Sequence, residues 1–547
     1  MKKATPGAVL LLSLLLGACS PKSPTTPTAS PSTSGTAPSP VRFVEVAEKS
    51  GIKYAWSAPG KRPLNILQTI GNGCAFLDFN NDGNLDILLV GPKPALFQGD
   101  GKGSFMDVSA AVLGTLSGYF LGCAVGDYDN DGFADLYLSG YREGRLLHNE
   151  GGKSFKDATP TSGLKPQPWG TSASWADLDR DGKLDLYIAN YAIFDKNTKP
   201  QLCSFGGILS SCGPRFYDPE RGVLYHNIGG GKFVEVTEKV GAKKVAGRGL
   251  GVACLDFNES GFDSIAIAND ELPGDLLLNK NFTFTNEGTT SGTAYDSEGR
   301  AHGGMGIDWG DYDNDGKPDL VVATFSNEVK ALYHNEGGGF FQEKATSSGL
   351  AGTVEPYITF GIKFFDADND GFLDLILANG HVQDNIAQIE KTESYRQPVV
   401  FLQNNQGRVF EDKNASSGVG ALKPIVGRGL AVGDYDNDGR VDVLVVDSEG
   451  KPLLLHNETP QAGHWLLLRL DSGKAVTHGA LLTITLPDGK KLLRHCQTDG
   501  SYMSASDPRV HVGLGSATKV SVTVKWPSGK TTEHKDLAAD QLHTLAP

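Results

Sequence analysis

The most chemically loaded stretch of this chain is Asp127-Tyr-Asp129-Asn-Asp131-Gly132-Phe133-Ala-Asp135-Leu136. Carboxylates at the first, third, fifth and ninth positions, with glycine at the sixth for a tight turn, offer oxygen ligands only. Such a cage suits a hard divalent cation, and calcium tolerates its irregular geometry best. One copy alone would read equally well as an acidic surface turn. The pattern recurs, however, with first acids at Asp78, Asp127, Asp177, Asp256, Asp311, Asp366 and Asp434. Seven copies in register do not arise by accident.

Six copies are complete when read at positions one, three, five, seven and nine, the seventh acting through its backbone carbonyl. The first offers Asp78, Asn80, Asp82, Asn84 and Asp86; the second, Asp127, Asp129, Asp131, Phe133 and Asp135. The third offers Asp177, Asp179, Asp181, Lys183 and Asp185; the fifth, Asp311, Asp313, Asp315, Lys317 and Asp319. The sixth offers Asp366, Asp368, Asp370, Phe372 and Asp374; the seventh, Asp434, Asp436, Asp438, Arg440 and Asp442. The fourth keeps Asp256, Asn258 and Ser260, but its ninth residue is Ser264, with Asp263 one place early. Calcium affinity rises with ligand charge, so this loop is expected to be empty or very weak. The expectation is about six calcium ions per chain, mainly structural.

Which elements must hold these loops? An EF-hand would need a bidentate acid at position twelve and flanking helices. Here position twelve is Leu89, Leu138, Ile188, Val322, Leu377 or Val445. The short apolar runs behind the ninth acid, such as Leu136-Tyr-Leu138 and Leu320-Val-Val322, read as strands buried on both faces. Each loop is therefore a turn between two strands. Successive loops start 49, 50, 79, 55, 55 and 68 residues apart, and a period near fifty fits one four-stranded propeller blade.

A second signature follows each loop, as in Leu146-Leu-His148-Asn149 with Phe155, Leu224-Tyr-His226-Asn227 with Phe233, and Leu332-Tyr-His334-Asn335 with Phe341. The seventh copy stops at His456-Asn457, and its missing strand stands at the other end of the chain as Phe43-Val-Glu-Val46. That permutation predicts a ring of seven blades closed by the N-terminal strand. Because the His-Asn pairs recur blade by blade, they are architecture, not a catalytic cluster. Five residues before each loop stands Gly73, Gly122, Ser172, Gly251, Gly306, Gly361 or Gly429, which predicts close backbone approach where the innermost strands meet the axis. Cys74 and Cys123 beside them are expected to be small buried residues.

The formal net charge is −14, but the six complete loops hold 23 carboxylates, so it is explained by the loops and argues for no basic partner. A basic stripe, zinc spacing and RNA-binding motifs are all lacking, so nucleic acid is not expected as a partner. Residues 1–19 combine Met1-Lys2-Lys3, an apolar run from Ala8 to Leu16, and Leu16-Gly17-Ala18-Cys19. This is a secretory signal, and its ending resembles the bacterial lipoprotein box, which implies acylation of Cys19. Residues 20–40 hold 17 Pro, Ser or Thr among 21, an extended tether reaching roughly 65 Å. The expected location is thus that of an exported bacterial lipoprotein at the outer membrane, on its periplasmic face or at the cell surface, with the N-terminal lipid as membrane anchor.

The propeller is expected over residues 41–460. Two intervals are long because they hold insertions, one from about Tyr191 to Gly222 and one from about Gly380 to Pro398. Cys203 and Cys212 in the first would pair in an exported protein; two free thiols are the other reading. From 461 to 547 the acidic loops cease and short alternating strands appear, predicting a separate β domain, a small sandwich. The whole is all-β.

The Asp-x-Asp-x-Asp-Gly copies resemble FG-GAP/VCBS-type repeats, which also build integrin α-subunit propellers. The segment Gly500-Ser-Tyr502-Met503-Ser504-Ala-Ser-Asp507-Pro508-Arg509-Val-His511-Val-Gly513-Leu-Gly515, followed by Val524-Lys-Trp526-Pro-Ser-Gly529, closely resembles an ASPIC/UnbV domain. Together with Gly299-Arg300-Ala-His302-Gly303-Gly304-Met305, Cys212-Gly213-Pro214 and Asn379-Gly380-His381, they are similar to a bacterial branch of the cartilage-acidic-protein-like family. The resemblance implies an exported calcium-binding protein of the adhesion or recognition kind.

Candidate ligand contacts lie just upstream of the innermost strands: Tyr119, Trp169, Arg248, His302, Tyr357 and Arg428. Aromatic faces with guanidinium donors would suit a sugar or a carboxylate-bearing ligand; ordinary packing around the channel is the plainer reading. Asp507, Arg509 and His511 are expected to form a structural hydrogen-bond network. For catalysis the chain lacks a Gly-x-Ser-x-Gly elbow, a phosphate loop and a zinc helix, and Gly247-Arg-Gly249-Leu-Gly251 precedes a strand, not a dinucleotide-binding helix. The leading expectation is a membrane-anchored, non-enzymatic binding or adhesion module for a glycan or an extracellular or periplasmic protein. The alternatives are a polysaccharide lyase or hydrolase using Arg248, His302 or an acid outside the loops, and a periplasmic assembly or scaffold factor.

Overall fold

A computed structural model describes residues 41–58, 60–242, 247–471 and 477–547; the signal segment, Cys19 and the tether lie outside the described residues. Among the described residues no helix is long and apolar enough to cross a membrane.

Each acidic loop reverses the chain between two paired strands, as when Ala176 pairs with Asp185 across the third loop. The strand after the loop is buried along its whole length, for example Asp185–Asn190 and Asp374–Asn379. Seven antiparallel four-stranded sheets result, and one of them is assembled from both ends of the region: Phe43–Glu45 pairs with Leu453–Asn457. The innermost strands are Cys74–Leu77, Phe120–Gly126, Gly170–Ala176, Gly249–Leu255, Ile307–Gly310, Thr359–Phe365 and Gly427–Gly433. Each packs on the next, and the last packs on the first, so the blades form a closed ring.

Large aromatics fill the wedges between blades. Phe257 stacks on Trp309 at 5.6 Å with planes 4° apart, and Tyr128 stacks on Trp175 at 6.1 Å. Burying such side chains stabilises by about 1.5–3 kcal/mol each. Residues from 461 onward form two sheets, one of Val510–Gly515, His464–Leu470 and Gln541–Leu545, the other of Lys491–Cys496, Ala480–Thr485, Lys519–Lys525 and Thr531–Ala538. Their apolar faces, including Leu466, Leu468, Leu482, Ile484 and Val522, close on each other as a small sandwich.

The tail is not merely appended. Residues 498–507 leave the sandwich and run along the propeller axis, where they reach all seven blades. The amides of Cys123 and Phe76 donate to Met503 and Ala505 carbonyls, both at 3.1 Å, and Ala505 donates back to Cys74 at 3.0 Å. Ser501 exchanges two backbone bonds with Ile307, and Asp507 donates to Val432 at 3.0 Å. Met503 donates to Ser172 Oγ at 2.9 Å, the Cys254 amide donates to Asp499 Oδ2 at 2.9 Å, and Lys363 Nζ donates to the Asp499 carbonyl at 2.8 Å.

The plug accounts for part of the register of small residues, and the next innermost strand for the rest: a β-carbon on Gly306 would lie 2.1 Å from the Phe360 carbonyl oxygen and one on Gly361 2.7 Å from that of Arg428. A β-carbon on Gly73 would lie 1.7 Å from the Met503 carbonyl oxygen, and one on Gly429 would lie 2.6 Å from Ser504 Oγ. The exception, Ser172, is the blade residue whose hydroxyl binds the plug. Gly122, Gly251 and Gly361 also mark bulges in their strands, where an extra residue bends the strand at the axis. Gly73→Ala should therefore cost at least about 1–3 kcal/mol, read by denaturant unfolding. Gly213→Ala is the matched control: its backbone is extended (φ −71°) and the nearest atom to a new β-carbon is 3.9 Å away, so it should stay within about 0.5 kcal/mol.

Candidate functional site

The acidic loops share one backbone construction. The first acid accepts two amides from the turn, as when Asp131 and Gly132 donate to the two oxygens of Asp127 at 3.1 and 2.7 Å. The fourth residue takes a left-handed backbone, with φ of 56° at Asn81, 60° at Asn130 and 58° at Asn314, a region asparagine tolerates better than most residues. Those same asparagines reach the next loop of the ring. Asn81, Asn130, Asn314 and Asn369 donate to the carbonyls of Gly132, Gly182, Gly371 and Gly439.

The ninth acid is a staple as well as a candidate ligand. Asp135 accepts from the amides of Tyr128 and Asn149, and Asp319 from those of Tyr312 and Asn335. The asparagine of each His-Asn pair then bonds across to the preceding blade: Asn149 Nδ2 donates to Phe79 O at 2.7 Å, and Asn457 Nδ2 to Ala367 O at 2.9 Å. The histidines lean on the loop acids, His226 Nδ1 at 3.0 Å from Asp185 and His334 Nε2 at 3.1 Å from Asp313.

The donor set fits a divalent cation. Carboxylate oxygens of Asp127, Asp129 and Asp135 lie within 4.8 Å of one another, and Asp436 Oδ1 is buried without a hydrogen-bond partner. Burial first, then the neighbouring carboxylates, pushes Asp86 up to about 8, Asp135 and Asp319 up to about 9, and Asp127 up to about 6. Such groups resist ionising together unless a cation joins them. At position seven, Lys183, Lys317 and Arg440 fold their charged ends onto Asp181, Asp315 and Asp438, while Phe133 and Phe372 bring no charge.

The fourth loop is built differently. Lys525, from the C-terminal sandwich, places Nζ 3.1 Å from Asp256 Oδ2, so a protein ammonium lies against the first acid of this loop. The third loop has Arg180 where five of the other six loops have asparagine, and Arg180 Nε donates to the Pro527 carbonyl at 2.9 Å. The sandwich thus sits on the acidic-loop end of the ring and brings cations to it. Arg494 donates to Gly371 O at 2.8 Å beside Asp311 and Asp366. Arg509 is gripped by Asp507 and donates to the Asp434 carbonyl at 2.6 Å, and His511 Nε2 lies 3.1 Å from the Gly439 carbonyl. The hydrogen-bond network expected of Asp507, Arg509 and His511 is this docking contact. Lys525→Met should lower stability by no more than about 1 kcal/mol, because the lysine is partly exposed. Its unfolding midpoint should still shift measurably, whereas a Lys530→Met control should not move.

At the opposite mouth the six sequence-chosen contacts are mostly absorbed into the walls. Trp169 is fully buried against Tyr141, Tyr191 and Phe194. Arg428, also fully buried, donates to the carbonyls of Thr69, Gly380, Gly427 and His381 and lies over Phe360. Arg248 bonds the carbonyls of Tyr217 and Asp270, and buried His302 bonds Tyr333 Oη at 3.1 Å. Half-buried Tyr119 donates to Leu67 O, and the Tyr357 carbonyl holds Lys330. None of the six lines the cavity that opens here. This placement fits the plainer reading of the six as packing around the channel.

The cavity has a volume of about 260 Å³. Its floor is Ile70, Leu250, Met305 and Phe360, and its rim carries Asp270, Glu271, Glu328 and Arg215. The two insertions meet above it. Cys203 and Cys212 are disulfide-bonded, and Leu202–Phe205 pairs with Ile208–Ser211 as a hairpin. Asn385 and Gln383 of the other insertion donate to Leu209 and Ser211 carbonyls at 2.8 and 3.0 Å. The cavity-lining acids were missed because they follow the second strand of a blade, where no motif marks them.

Comparison with known proteins agrees with this architecture. Residues 472–547 match the ASPIC and UnbV family, and residues 78–138, 129–188, 256–322 and 311–377 match the FG-GAP-like repeat. Mouse cartilage acidic protein 1 is 26% identical over 385 residues, covering 69% of this chain and 54% of that protein. The human protein is 25% identical over 384 residues, covering 69% and 53%. The chain therefore spans about half the length of these relatives. Among solved structures, an Agrocybe aegerita lectin described as recognising non-reducing terminal N-acetylglucosamine aligns at TM-score 0.44 and 16% identity, over 71% of this chain and 94% of its own. YCF48 bound to D1 peptide aligns at 0.40 and 10% identity, over 73% and 98%. This chain is an all-β protein that carries FG-GAP-like repeats and a C-terminal ASPIC and UnbV domain, similar to cartilage acidic protein 1.

Proposed function

We propose that this protein is an exported binding module, tethered to a bacterial outer membrane through an acylated Cys19, whose calcium loops are structural. One observation carries the reading. The acidic-loop end of the ring is taken up by the sandwich and the axis by residues 498–507, whereas the other mouth opens on a walled cavity framed by two interlocked insertions. A rigid scaffold that presents insertions around a pocket is the usual arrangement of a binding site. Arg248 and His302, the groups a lyase or hydrolase was expected to use, have their polar ends engaged in the wall, which favours binding over acid-base chemistry. Calcium-loaded protein should bind a glycan or protein ligand from an array, and Phe216→Asp at the exposed rim should weaken that binding at least tenfold. Equal binding by the variant would place the ligand elsewhere.

Calcium would be held by the six complete loops, with the fourth loop served by Lys525. Metal analysis should find six ions per chain, not seven. Binding to the native state alone stabilises by about 2.7 kcal/mol per site at a hundredfold excess over Kd, so chelation should lower the melting temperature by more than about 10 °C. An unchanged melting temperature in chelator, or a seventh ion, would contradict this account. For the anchor, Cys19→Ala should abolish palmitate incorporation and leave either a soluble exported protein or an uncleaved precursor.

A further inference from the structure

The three segments singled out within the propeller sequence converge on the same cavity. Gly303 and Met305 come from the first, Cys212, Gly213 and Pro214 from the second, and Val382 and Gln383 directly follow the third. The chemistry they enclose is specific. A β-carbon on Gly303 would stand 3.3 Å from Asp270 Oδ1 and 3.6 Å from Glu328 Oε2, so the glycine lets two carboxylates from different blade strands crowd one point of the wall. Asp270 Oδ2 accepts from Tyr191 Oη at 2.6 Å and Glu328 Oε2 accepts from the Gly303 amide at 2.9 Å. Asp270 Oδ1 has no hydrogen-bond partner among the described residues.

A third carboxylate, Glu271, is held beside them in left-handed backbone at φ 53°. The matching turn of the second blade holds Arg142 in the same conformation, at φ 55°, so the turn that presents Glu271 belongs to the blade architecture. Among the described residues the only cation on the lining is Arg215, which is largely exposed and stands 3.9 Å from Glu271. The nearby Arg248 and Lys330 spend their donors on backbone carbonyls of Tyr217, Asp270, Phe325, Glu328 and Tyr357, behind the wall. Burial also pushes Asp270 up to about 7 and raises Glu328, although Arg248 and Lys330 behind the wall draw them partly back. Below the acids the surface is apolar and aromatic, with Met305, Phe325, Phe360 and Tyr191, and aromatic faces attract cations.

We propose that this cavity binds an organic cation, an ammonium or guanidinium on an apolar or aromatic stem, with its charge against Asp270, Glu271 and Glu328 and its stem on Met305 and Phe360. The inference rests on reading the open mouth as the ligand-binding face and names the ligand class for it. The charge could come from a free amine or from a lysine or arginine side chain, because both present the same chemistry to the wall.

The test uses the full-length protein and calorimetric titration with 2-phenylethylamine and its neutral counterpart 2-phenylethanol. The amine should bind at least about tenfold tighter, the scale of one charge-assisted hydrogen bond. Asp270→Asn and Glu328→Gln should each reduce the ratio of amine to alcohol affinity toward one, with the melting curve as in the parent. A second arm compares a capped Gly-Lys-Gly peptide with its norleucine counterpart. Tighter binding of the lysine peptide than of the amine identifies a protein side chain as the source, and binding of the amine alone identifies a small molecule. Equal affinity for amine and alcohol, or amine binding that both variants leave intact, would overturn the cation assignment while keeping a ligand-binding mouth. Failure of amine and peptide alike would overturn it too, and the Phe216→Asp experiment would then decide separately whether the mouth binds anything.

Discussion

A ring of seven blades turns one edge of every innermost strand toward the axis. Edge amides and carbonyls that are buried must find partners, and the rest of this molecule follows from how they do so. Residues 498–507 lie among those edges and trade hydrogen bonds with them, backbone to backbone at Cys74, Cys123, Ile307 and Val432. The closeness of that contact forbids side chains at Gly73 and Gly429 and admits a serine at 172 only because its hydroxyl is a partner. The plug arrives from the sandwich, so the sandwich has to stand on the end of the ring from which it enters. That end is where the acidic loops are.

Placing a domain over rows of carboxylates is unfavourable unless their charge is balanced. Two kinds of balance are visible, and the geometry admits a third. Side chains within the loops fold back, as at Lys183, Lys317 and Arg440; the sandwich contributes Arg494, Arg509 and Lys525; and the oxygen cages suit divalent cations. The fourth loop isolates the second kind. Having lost its ninth acid, it keeps its shape because Ser264 Oγ takes the amide of Asn279 that an aspartate accepts in other blades, and Lys525 answers the charge of Asp256. Loop decay and lysine supply are two halves of one substitution.

How much of this could be read beforehand follows from how each feature acts. The repeats were legible because their work is done by side chains that few other contexts demand, aspartates two apart and a glycine in a fixed place. Ring closure was legible because Phe43-Val-Glu-Val46 repeats a piece missing after His456-Asn457. The plug was not legible as a plug: the stretch was recognisable as a domain signature, but Ser501, Met503 and Ala505 meet the blades mainly through their backbones, which no side-chain pattern announces. Nor was the strap made by Asn149 or Asn457, since a recurring asparagine marks architecture without naming its partner in another blade. The mouth shows a different limit. Arg428 and Trp169 have side chains suited to recognition, but strand geometry aims them between blades. The residues that border the open space, such as Asp270 and Glu271, leave the second strand one step later.

The cavity and the tail turn out to share a wall. Phe360, on the cavity floor, packs edge-on against Tyr502 of the plug at 4.9 Å, and Tyr502 Oη donates to the carbonyl of Ile70, another floor residue, at 2.9 Å. A pocket floor held by a tail that docks on the opposite end of the ring is only as well formed as that docking. The charges that seat the sandwich therefore stand at one end of a continuous packed column, and the shape of the open mouth at the other. Interiors packed this closely deform little. The column thereby couples the seating of the sandwich at the acidic-loop end to the shape of the cavity floor at the other.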